Sequence, residues 1–121
     1  MTIRTVLVVD DSPTERFYLV DILKRNGFQA EMAESGEEGV AKAKELKPDL
    51  VLMDVVMPGL NGFQATRMLA KDAETSQIPV IMCTTKNQET DKVWGMRQGA
   101  AAYLVKPIVA EELLGKIKEL A

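Results

Sequence analysis

Short apolar runs alternate along the chain with longer segments in which apolar residues recur every three or four positions. Most of the short runs are continuous and rich in β-branched residues, which is typical of strands buried on both faces. The longer segments have the periodicity of amphipathic helices. The predicted strands span residues 5–9, 28–32, 50–53, 79–83 and 102–105, and a predicted helix follows each of them.

Polar residues and glycines mark where the predicted helices begin and end. Ser12 and Ser35 each precede a helical segment and have a glutamate three positions later, which is the pattern of a capping box. Asn61 can cap the third helix. Gly27 and Gly99 follow the first and fourth helical segments, where a left-handed residue commonly ends a helix.

The helical periodicity also predicts which residues face the sheet. In chain order they are Leu19, Ile22, Leu23 and Asn26; Val40, Ala43 and Leu46; Ala65, Met68 and Leu69; Val93, Met96 and Ala100; and Leu113, Leu114, Ile117 and Leu120. The fourth helix is otherwise polar. Its Trp94 is either exposed, as a contact for a partner, or packed at the flank of the helix.

Five strand–helix units of about 20 to 25 residues predict an α/β fold with one doubly wound parallel sheet, helices on both faces and right-handed crossovers. The chain has 121 residues and is 46% hydrophobic. That length and composition suffice for one sizeable core. We therefore expect a single domain over residues 1–121.

Composition excludes several classes of function. No apolar run approaches the ~18 residues of a membrane helix, and a signal-peptide pattern is absent, so we expect a cytoplasmic protein without membrane insertion. The net charge of −3 and the pI near 5.0 argue against a nucleic-acid partner. The absence of histidine excludes Ser/His/Asp catalysis and histidine metal ligands. Cys83, the single cysteine, lies in an apolar run and is expected in the core.

Polar residues lie where four of the predicted strands end. They are Asp10 and Asp11 after the first strand, Asp54 after the third, Thr84 after the fourth and Lys106 after the fifth. The carboxyl ends of parallel strands meet at one edge of a sheet, where α/β folds bind ligands. We therefore expect these side chains to converge. Taken singly, the two N-terminal aspartates could cap a helix, and Lys106 could be a surface lysine.

Three carboxylates in one place repel one another, and a divalent cation relieves the repulsion. With only oxygen ligands available, Mg²⁺ or Mn²⁺ is favoured. A metal ion, the Lys106 ammonium and the Thr84 hydroxyl are the kinds of group that phosphoryl transfer requires. Asp54 is the expected nucleophile, because a carboxylate can form an acyl phosphate. The pattern thus predicts a magnesium-dependent phosphoryl site.

Motifs along the whole chain resemble the signature of two-component response-regulator receiver domains. They are Asp10–Asp11, Asp54 with residues 57–62, Thr84, Tyr103 and Lys106–Pro107. The resemblance implies a flavodoxin-like fold with strand order 2-1-3-4-5 and no attached output domain. It also implies a phosphoacceptor that takes its phosphoryl group from a histidine kinase or a phosphotransfer protein. Such a receiver promotes its own phosphorylation and dephosphorylation but is not otherwise an enzyme.

The resemblance also assigns roles to individual residues. Asp54 becomes the phosphoacceptor and a Mg²⁺ ligand, together with Asp11 and the backbone carbonyl of Val56. Asp10 binds the metal through a water molecule. Lys106 contacts the phosphoryl group, and its peptide bond to the following proline is cis.

Thr84 and Tyr103 form the switch of the family: the threonine moves toward the phosphoryl group, and the tyrosine ring turns inward. The affected face consists of the fourth helix, the fifth strand and the fifth helix, where we expect a downstream protein to bind. Tyr103 is alternatively an ordinary aromatic strand residue.

Three residues beside the site are expected to modulate the lifetime of the acyl phosphate. Thr85 stands where receivers usually have a small residue. Val56 offers an attacking water no side-chain hydrogen bond, and Lys86 is expected to place a flexible cation over the mouth of the site.

Within the family the chain is similar to stand-alone regulators of type IV pilus twitching motility, on residues 11–15, 62–67 and 88–95. This likeness implies a chemotaxis-like kinase as the phosphodonor and an effect on pilus extension or retraction. A phosphate sink in another chemotaxis-type pathway is the alternative.

The residues disfavour two other functions. A Mg²⁺-dependent phosphatase with an aspartyl-phosphate intermediate would resemble haloacid dehalogenases, which need a second aspartate where this chain has Val56. A flavin-binding electron carrier of similar topology would need a phosphate-binding loop after the first strand, where this chain has carboxylates.

Overall fold

The computed structural model describes residues 2–121. They form five strands and five helices: β1 (Thr5–Val9), α1 (Pro13–Arg25), β2 (Gln29–Ala33), α2 (Gly36–Leu46), β3 (Leu50–Met53), α3 (Gly62–Lys71), β4 (Val80–Thr84), α4 (Glu89–Arg97), β5 (Ala102–Val105) and α5 (Ala110–Leu120). All strand pairs are parallel, and the order β2-β1-β3-β4-β5 confirms the predicted flavodoxin-like topology. The strands β2 and β4 each lie one residue later than predicted.

The predicted residues cap the first three helices. The hydroxyl of Ser12 accepts a hydrogen bond from the N–H of Glu15 at 3.4 Å, and the hydroxyl of Ser35 accepts one from the N–H of Glu38 at 3.1 Å. Asn61 forms a complete capping box at the start of α3. As predicted, a glycine with positive φ follows both α1 and α4.

The side chains of β1 alternate between two hydrophobic clusters, because successive residues of a strand point to opposite faces of the sheet. Val6 and Val8 pack with α1 and α5, whereas Leu7 and Val9 pack with α2 and α3. The helices contribute Leu19, Val20, Ile22, Leu23, Leu113 and Ile117 to the first cluster, and Val40, Ala43, Ala65 and Leu69 to the second. The sheet is therefore covered on both faces, as predicted.

Some residues predicted to face the sheet are exposed instead: Asn26, Leu46, Met68, Val93 and Met96. Asn26 and Leu46 lie at helix ends, and on α3 Thr66 is buried where Met68 was expected. The prediction for α4 is wrong because Gly95 occupies its buried position. With a glycine there, the backbone of α4 lies against Met82 and Tyr103, and the larger apolar side chains face solvent.

Cys83 is buried in the core, as predicted, and burial raises the pKa of its thiol to about 12. The thiol is therefore protonated at neutral pH and fills space as an apolar group. Among residues 2–121, no helix is both long enough and apolar enough to cross a membrane.

Candidate functional site

The strands β1 and β3 are neighbours and carry the acidic residues at their carboxyl ends. Val9 pairs with Met53 in the sheet, so the residues that follow, Asp10 and Asp54, are adjacent. The N–H of Asp54 donates to the carbonyl of Val9 at 2.9 Å and extends the pairing. Asp10, Asp11 and Asp54 each place one carboxylate oxygen within 4.8 Å of the other two. We call these three residues the aspartate cluster.

Lys106 follows β5 and reaches the aspartate cluster. Its ammonium donates to Asp10 Oδ2 at 2.8 Å and lies 3.6 Å from Asp54 Oδ1 and 4.0 Å from Glu15 Oε2. Burial lowers the pKa of Lys106, but its hydrogen bond to Asp10 and the nearby negative charges outweigh burial and raise that pKa above its ordinary value. The ammonium is therefore charged at neutral pH. The peptide bond between Lys106 and Pro107 is cis.

Asp54 lies in an environment that opposes its ionisation. Burial, and then the charge of Asp10, raise its pKa to about 6. Lys106 and the N–H of Val55, which donates to Oδ1 at 2.9 Å, act in the other direction but do not cancel this shift. A divalent cation would supply the missing positive charge, and a donor set made only of oxygens suits Mg²⁺ or Mn²⁺.

The β4–α4 loop carries further predicted residues. Thr84 is fully buried, and its hydroxyl oxygen accepts a hydrogen bond from the N–H of Lys86 at 3.2 Å, whereas Thr85 is exposed. The ammonium of Lys86 lies 3.8 Å from Asp91 Oδ1 and, within the described chain, forms no ion pair with the aspartate cluster. That Lys86 covers the mouth of the site stays a prediction; in the structure its ammonium lies beside Asp91, in the first turn of α4.

Tyr103 links β5 to the same loop. Its hydroxyl donates to the carbonyl of Lys86 at 2.8 Å, and its ring packs in a small apolar cluster. Burial, and then the charge of Asp91, raise the pKa of the phenol to about 12, so the hydroxyl is a hydrogen-bond donor at neutral pH. The absence of a side chain at Gly95 lets α4 approach the ring, since a Cβ there would lie 3.1 Å from it.

Two other predicted residues have exposed side chains. Val56, which follows the aspartate cluster, is 57% exposed, and Trp94 on α4 is 50% exposed. The isopropyl group of Val56 offers no hydrogen bond to a water molecule. The exposure of Trp94 favours the surface-contact alternative over packing at the helix flank.

Two residues that support the site received no role of their own in the sequence analysis. Gly62, the first residue of α3, lies so close to β3 that a Cβ there would be 2.0 Å from the carbonyl oxygen of Asp54. Arg16 on α1 is buried and donates to the carbonyl of Asp10 at 2.8 Å. The sequence did contain a signal for Arg16. This residue lies three positions before Leu19, on the apolar face of the helix, where a charged side chain is unexpected.

Comparison with known proteins gives one family and several relatives. A family profile described as the response regulator receiver domain matches residues 6–118. The chain is 64% identical to Protein PilH of Pseudomonas aeruginosa over 112 residues, which cover 93% of each protein. It also matches transcriptional regulators, and it spans about half the length of those proteins.

Solved structures show the same fold. The chemotaxis protein CheY4 of Vibrio cholerae matches with a TM-score of 0.92 and 32% sequence identity, over 99% of this chain and 100% of that one. A chain of the CheX-CheY-BeF3-Mg²⁺ complex from Borrelia burgdorferi matches with a TM-score of 0.91 and 28% identity, over 97% and 88% of the two chains. The likeness therefore extends over nearly all of the sheet and its helices.

Proposed function

The chain belongs to the response regulator receiver domain family, and we propose that it accepts a phosphoryl group on Asp54 from a histidine kinase or a phosphotransfer protein in the cytoplasm. These 121 residues contain no histidine, so the phosphohistidine of the donor lies outside them. The observation that carries the proposal is the aspartate cluster, whose carboxylate oxygens lie within 4.8 Å of one another beside the Lys106 ammonium.

In the transfer, the bond between phosphorus and the imidazole nitrogen of the donor breaks, and its electron pair stays on that nitrogen. A carboxylate oxygen of Asp54 forms the new bond to phosphorus and gives an acyl phosphate. A carboxyl group with a pKa of about 6 is mostly ionised at neutral pH, as the nucleophile requires. The Lys106 ammonium, 3.6 Å from Asp54 Oδ1, can stabilise charge on the transferred oxygens.

The proposed cofactor is Mg²⁺, with Mn²⁺ as a substitute. Asp11, Asp54 and the Val56 carbonyl would hold it directly, and Asp10 would hold it through water. The raised pKa of Asp54 supports this assignment, because burial, and then the charge of Asp10, oppose its ionisation more strongly than Lys106 favours it. When bound, the ion would neutralise charge on the phosphoryl oxygens. The similar chain from Borrelia burgdorferi belongs to a complex that contains Mg²⁺ together with BeF3.

Phosphorylation would act on the β4–α4 loop. A phosphoryl group adds roughly −1.5 to −2 charge and new hydrogen-bond acceptors. If the Thr84 hydroxyl moves toward them, its bond with the N–H of Lys86 is lost, and the loop that Tyr103 holds changes position. The face formed by α4, β5 and α5 would then present a different surface to a downstream protein, with Trp94 as an exposed candidate contact.

The relevant pathway is chemotaxis-like control of type IV pilus twitching motility. The support is the 64% identity with PilH over 93% of both chains. In a switch, phosphorylation changes the binding of a target; in a phosphate sink, the chain only removes phosphoryl groups from the kinase. A target that binds the phosphorylated form more tightly distinguishes the switch from the sink.

Phosphotransfer with radiolabelled kinases tests the phosphoacceptor. Wild type and Asp49→Asn should both acquire label that hydroxylamine releases, because Asp49 lies outside the aspartate cluster. Asp54→Asn should acquire none, and chelation of Mg²⁺ should abolish labelling of the wild type. Equal labelling of Asp54→Asn would refute the assignment.

The competing phosphatase is disfavoured because the side chain of the exposed Val56 has no acidic group that could protonate a leaving alcohol. Incubation with p-nitrophenyl phosphate separates the two functions, since a phosphatase releases many equivalents of nitrophenol and a receiver does not.

Lys86→Ala tests whether Lys86 controls the lifetime of the acyl phosphate, given its pairing with Asp91. An unchanged hydrolysis rate would exclude that role.

A further inference from the structure

Arg16 is a buried cation next to the aspartate cluster that the proposed chemistry does not use. Its side chain is 8% exposed and lies on the face of α1 that also buries Leu19 and Leu23. Burial of a guanidinium is costly unless its N–H groups find partners. Nη1 donates to the carbonyl of Asp10 at 2.8 Å, and Nη2 donates to Glu34 Oε1 at 3.2 Å.

The two partners of Arg16 differ in burial. The carbonyl of Asp10 lies in the interior, whereas the side chain of Glu34 is 74% exposed. An ion pair with an exposed partner contributes little to stability, because water screens it. The bond to Asp10 is therefore the contact that accounts for burying the guanidinium.

The carbonyl of Asp10 belongs to the peptide unit that also contains the N–H of Asp11. Because a peptide unit is planar, a hydrogen bond that holds the carbonyl also fixes the direction in which the chain continues to the Asp11 Cα. The other end of Asp10 is held as well, since its N–H donates to the carbonyl of Ala33 at 3.1 Å. The backbone is thus clamped on both sides immediately before Asp11.

Asp11 itself depends on this clamp. Its side chain is exposed and, among residues 2–121, takes part in none of the side-chain hydrogen bonds or ion pairs. The carboxylate of Asp10, in contrast, accepts hydrogen bonds from the N–H of Ser12 and from Lys106. The backbone is therefore what places the Asp11 carboxylate within reach of Asp54.

We propose that Arg16 is a positioning residue for the divalent cation: it clamps the Asp10–Asp11 peptide so that the Asp11 carboxylate faces Asp54. This proposal rests on the proposed function in taking Mg²⁺ as the ion.

Titration calorimetry with MgCl2 tests the proposal on the full chain. Arg16→Met keeps most of the apolar stem and removes the donors, and loss of an outer-shell partner of a metal ligand typically weakens metal binding about 10- to 100-fold. We expect a weakening of that size. Arg16→Lys should restore part of the affinity, because one ammonium can donate to one carbonyl.

Two matched variants separate positioning from general stabilisation of α1. Arg25→Met removes an arginine from the same helix whose Nε lies 2.9 Å from Asp21 and whose side chain is 77% exposed. Glu34→Gln removes the charge of the exposed partner of Arg16 and leaves the Asp10 bond in place. Both should bind Mg²⁺ within about twofold of wild type.

The outcomes are distinct. Arg16→Met with wild-type affinity, or Glu34→Gln with an equally large loss, would overturn the role of the Asp10 clamp. If urea unfolding shows that Arg16→Met is not folded, Arg16→Lys decides: binding at least threefold weaker than wild type supports the clamp, and any smaller weakening overturns it. Wild-type protein that binds no Mg²⁺ would refute the proposed function itself. Failure of the clamp alone gives a different result, because the wild type then still binds Mg²⁺.

Discussion

The aspartate region (residues 4–25 and 49–62) and the Thr84 region (residues 80–105) contribute to the same site but are packed very differently. In the aspartate region, α1 buries Leu19, Val20, Ile22 and Leu23. In the Thr84 region, Gly95 is the buried residue of α4. Burying an aliphatic side chain stabilises a protein by about 1.5–3 kcal/mol, so α1 is held by several such contributions that α4 lacks.

The aspartate region and the Thr84 region also differ in their hydrogen bonds. The carboxylate of Asp10 accepts bonds from Ser12 at 2.9 Å and Lys106 at 2.8 Å, and both bonds lie within or beside the packed β1 and α1. The β4–α4 loop is held from β5 by one side-chain bond, from Tyr103 to the carbonyl of Lys86. The groups proposed to bind an ion are thus fixed in advance, whereas the element expected to move has little packing to lose.

Truncation of one apolar side chain in each helix tests this contrast most strongly. Leu23→Ala on α1 should lower the free energy of unfolding by about 3 kcal/mol, because Leu23 is fully buried and its loss leaves a cavity. Met96→Ala on α4, where the methionine is 47% exposed, should lower it by less than about 1 kcal/mol. Urea unfolding measures both, and similar losses would show that the two helices are packed alike.

Adding a methyl group at two glycines is the next test. In Gly62→Ala the new Cβ meets backbone, 2.0 Å from the Asp54 carbonyl oxygen, so the end of β3 must shift at a cost of about 2–3 kcal/mol. In Gly95→Ala it meets side chains, 2.7 Å from Met82 Sδ and 3.1 Å from the ring of Tyr103. These two side chains can move, and alanine is more favourable than glycine in a helix by about 1 kcal/mol. The net change in the free energy of unfolding should therefore stay below about 1 kcal/mol.

Proton–nitrogen correlation spectra of the two glycine variants provide the structural readout. Gly95→Ala should shift signals of the β4–α4 loop and leave Asp10 and Asp11 unchanged, whereas Gly62→Ala should shift the amide of Asp54. Shifts confined to the substituted residue in Gly62→Ala would contradict the rigid contact with β3.

The sequence predicted the aspartate region well because its signals are local. The apolar run 50–53 ends directly at Asp54, and in a parallel sheet a strand end determines which edge a residue occupies. The family resemblance and the topology together predict the order of the strands in the sheet. They also predict that Lys106 approaches the aspartate cluster. The helical spacing marks Arg16 as a charge on an apolar face, but its partner could not be derived, because that partner is a backbone carbonyl that no residue pattern marks.

The Thr84 region was predicted less well for a physical reason. Val93 and Met96 fit a helical stripe, but a stripe does not say which side of a polar helix meets the sheet. The buried position is a glycine, which contributes nothing to hydrophobic periodicity. The ion pair between Lys86 and Asp91 could not be derived either, because Asp91 becomes near only once α4 has formed.

The start of β1 gives a smaller, pH-dependent test of the aspartate region. The carboxylate of Asp49 accepts hydrogen bonds from the N–H groups of Thr5 at 3.0 Å and Arg4 at 2.9 Å, and these bonds lower its pKa below the ordinary value. A lowered folded-state pKa means stabilisation that is complete above the unfolded pKa of about 3.9 and is lost as pH falls through the folded value. Asp49→Asn should therefore cost about 1 kcal/mol at pH 7.

The loss in Asp49→Asn should shrink as the pH falls below about 4, since the wild-type carboxyl then becomes neutral as well. Urea unfolding at a series of pH values measures this difference. A constant difference across the series would mean that the charge of Asp49 does not strengthen the two bonds.

Trp94 gives the smallest expected effect on stability and the most direct view of the Thr84 region. It is the only tryptophan of the chain and is 50% exposed, so its fluorescence should be readily quenched by acrylamide. Trp94→Ala should change the free energy of unfolding by about 0.5 kcal/mol or less, as for other surface residues. Because the indole contributes little to packing, any loss of target binding in this variant would report a contact rather than a misfolded helix. Weak quenching together with a large loss of stability would mean that α4 packs through Trp94, and the contrast between the two regions would then fail.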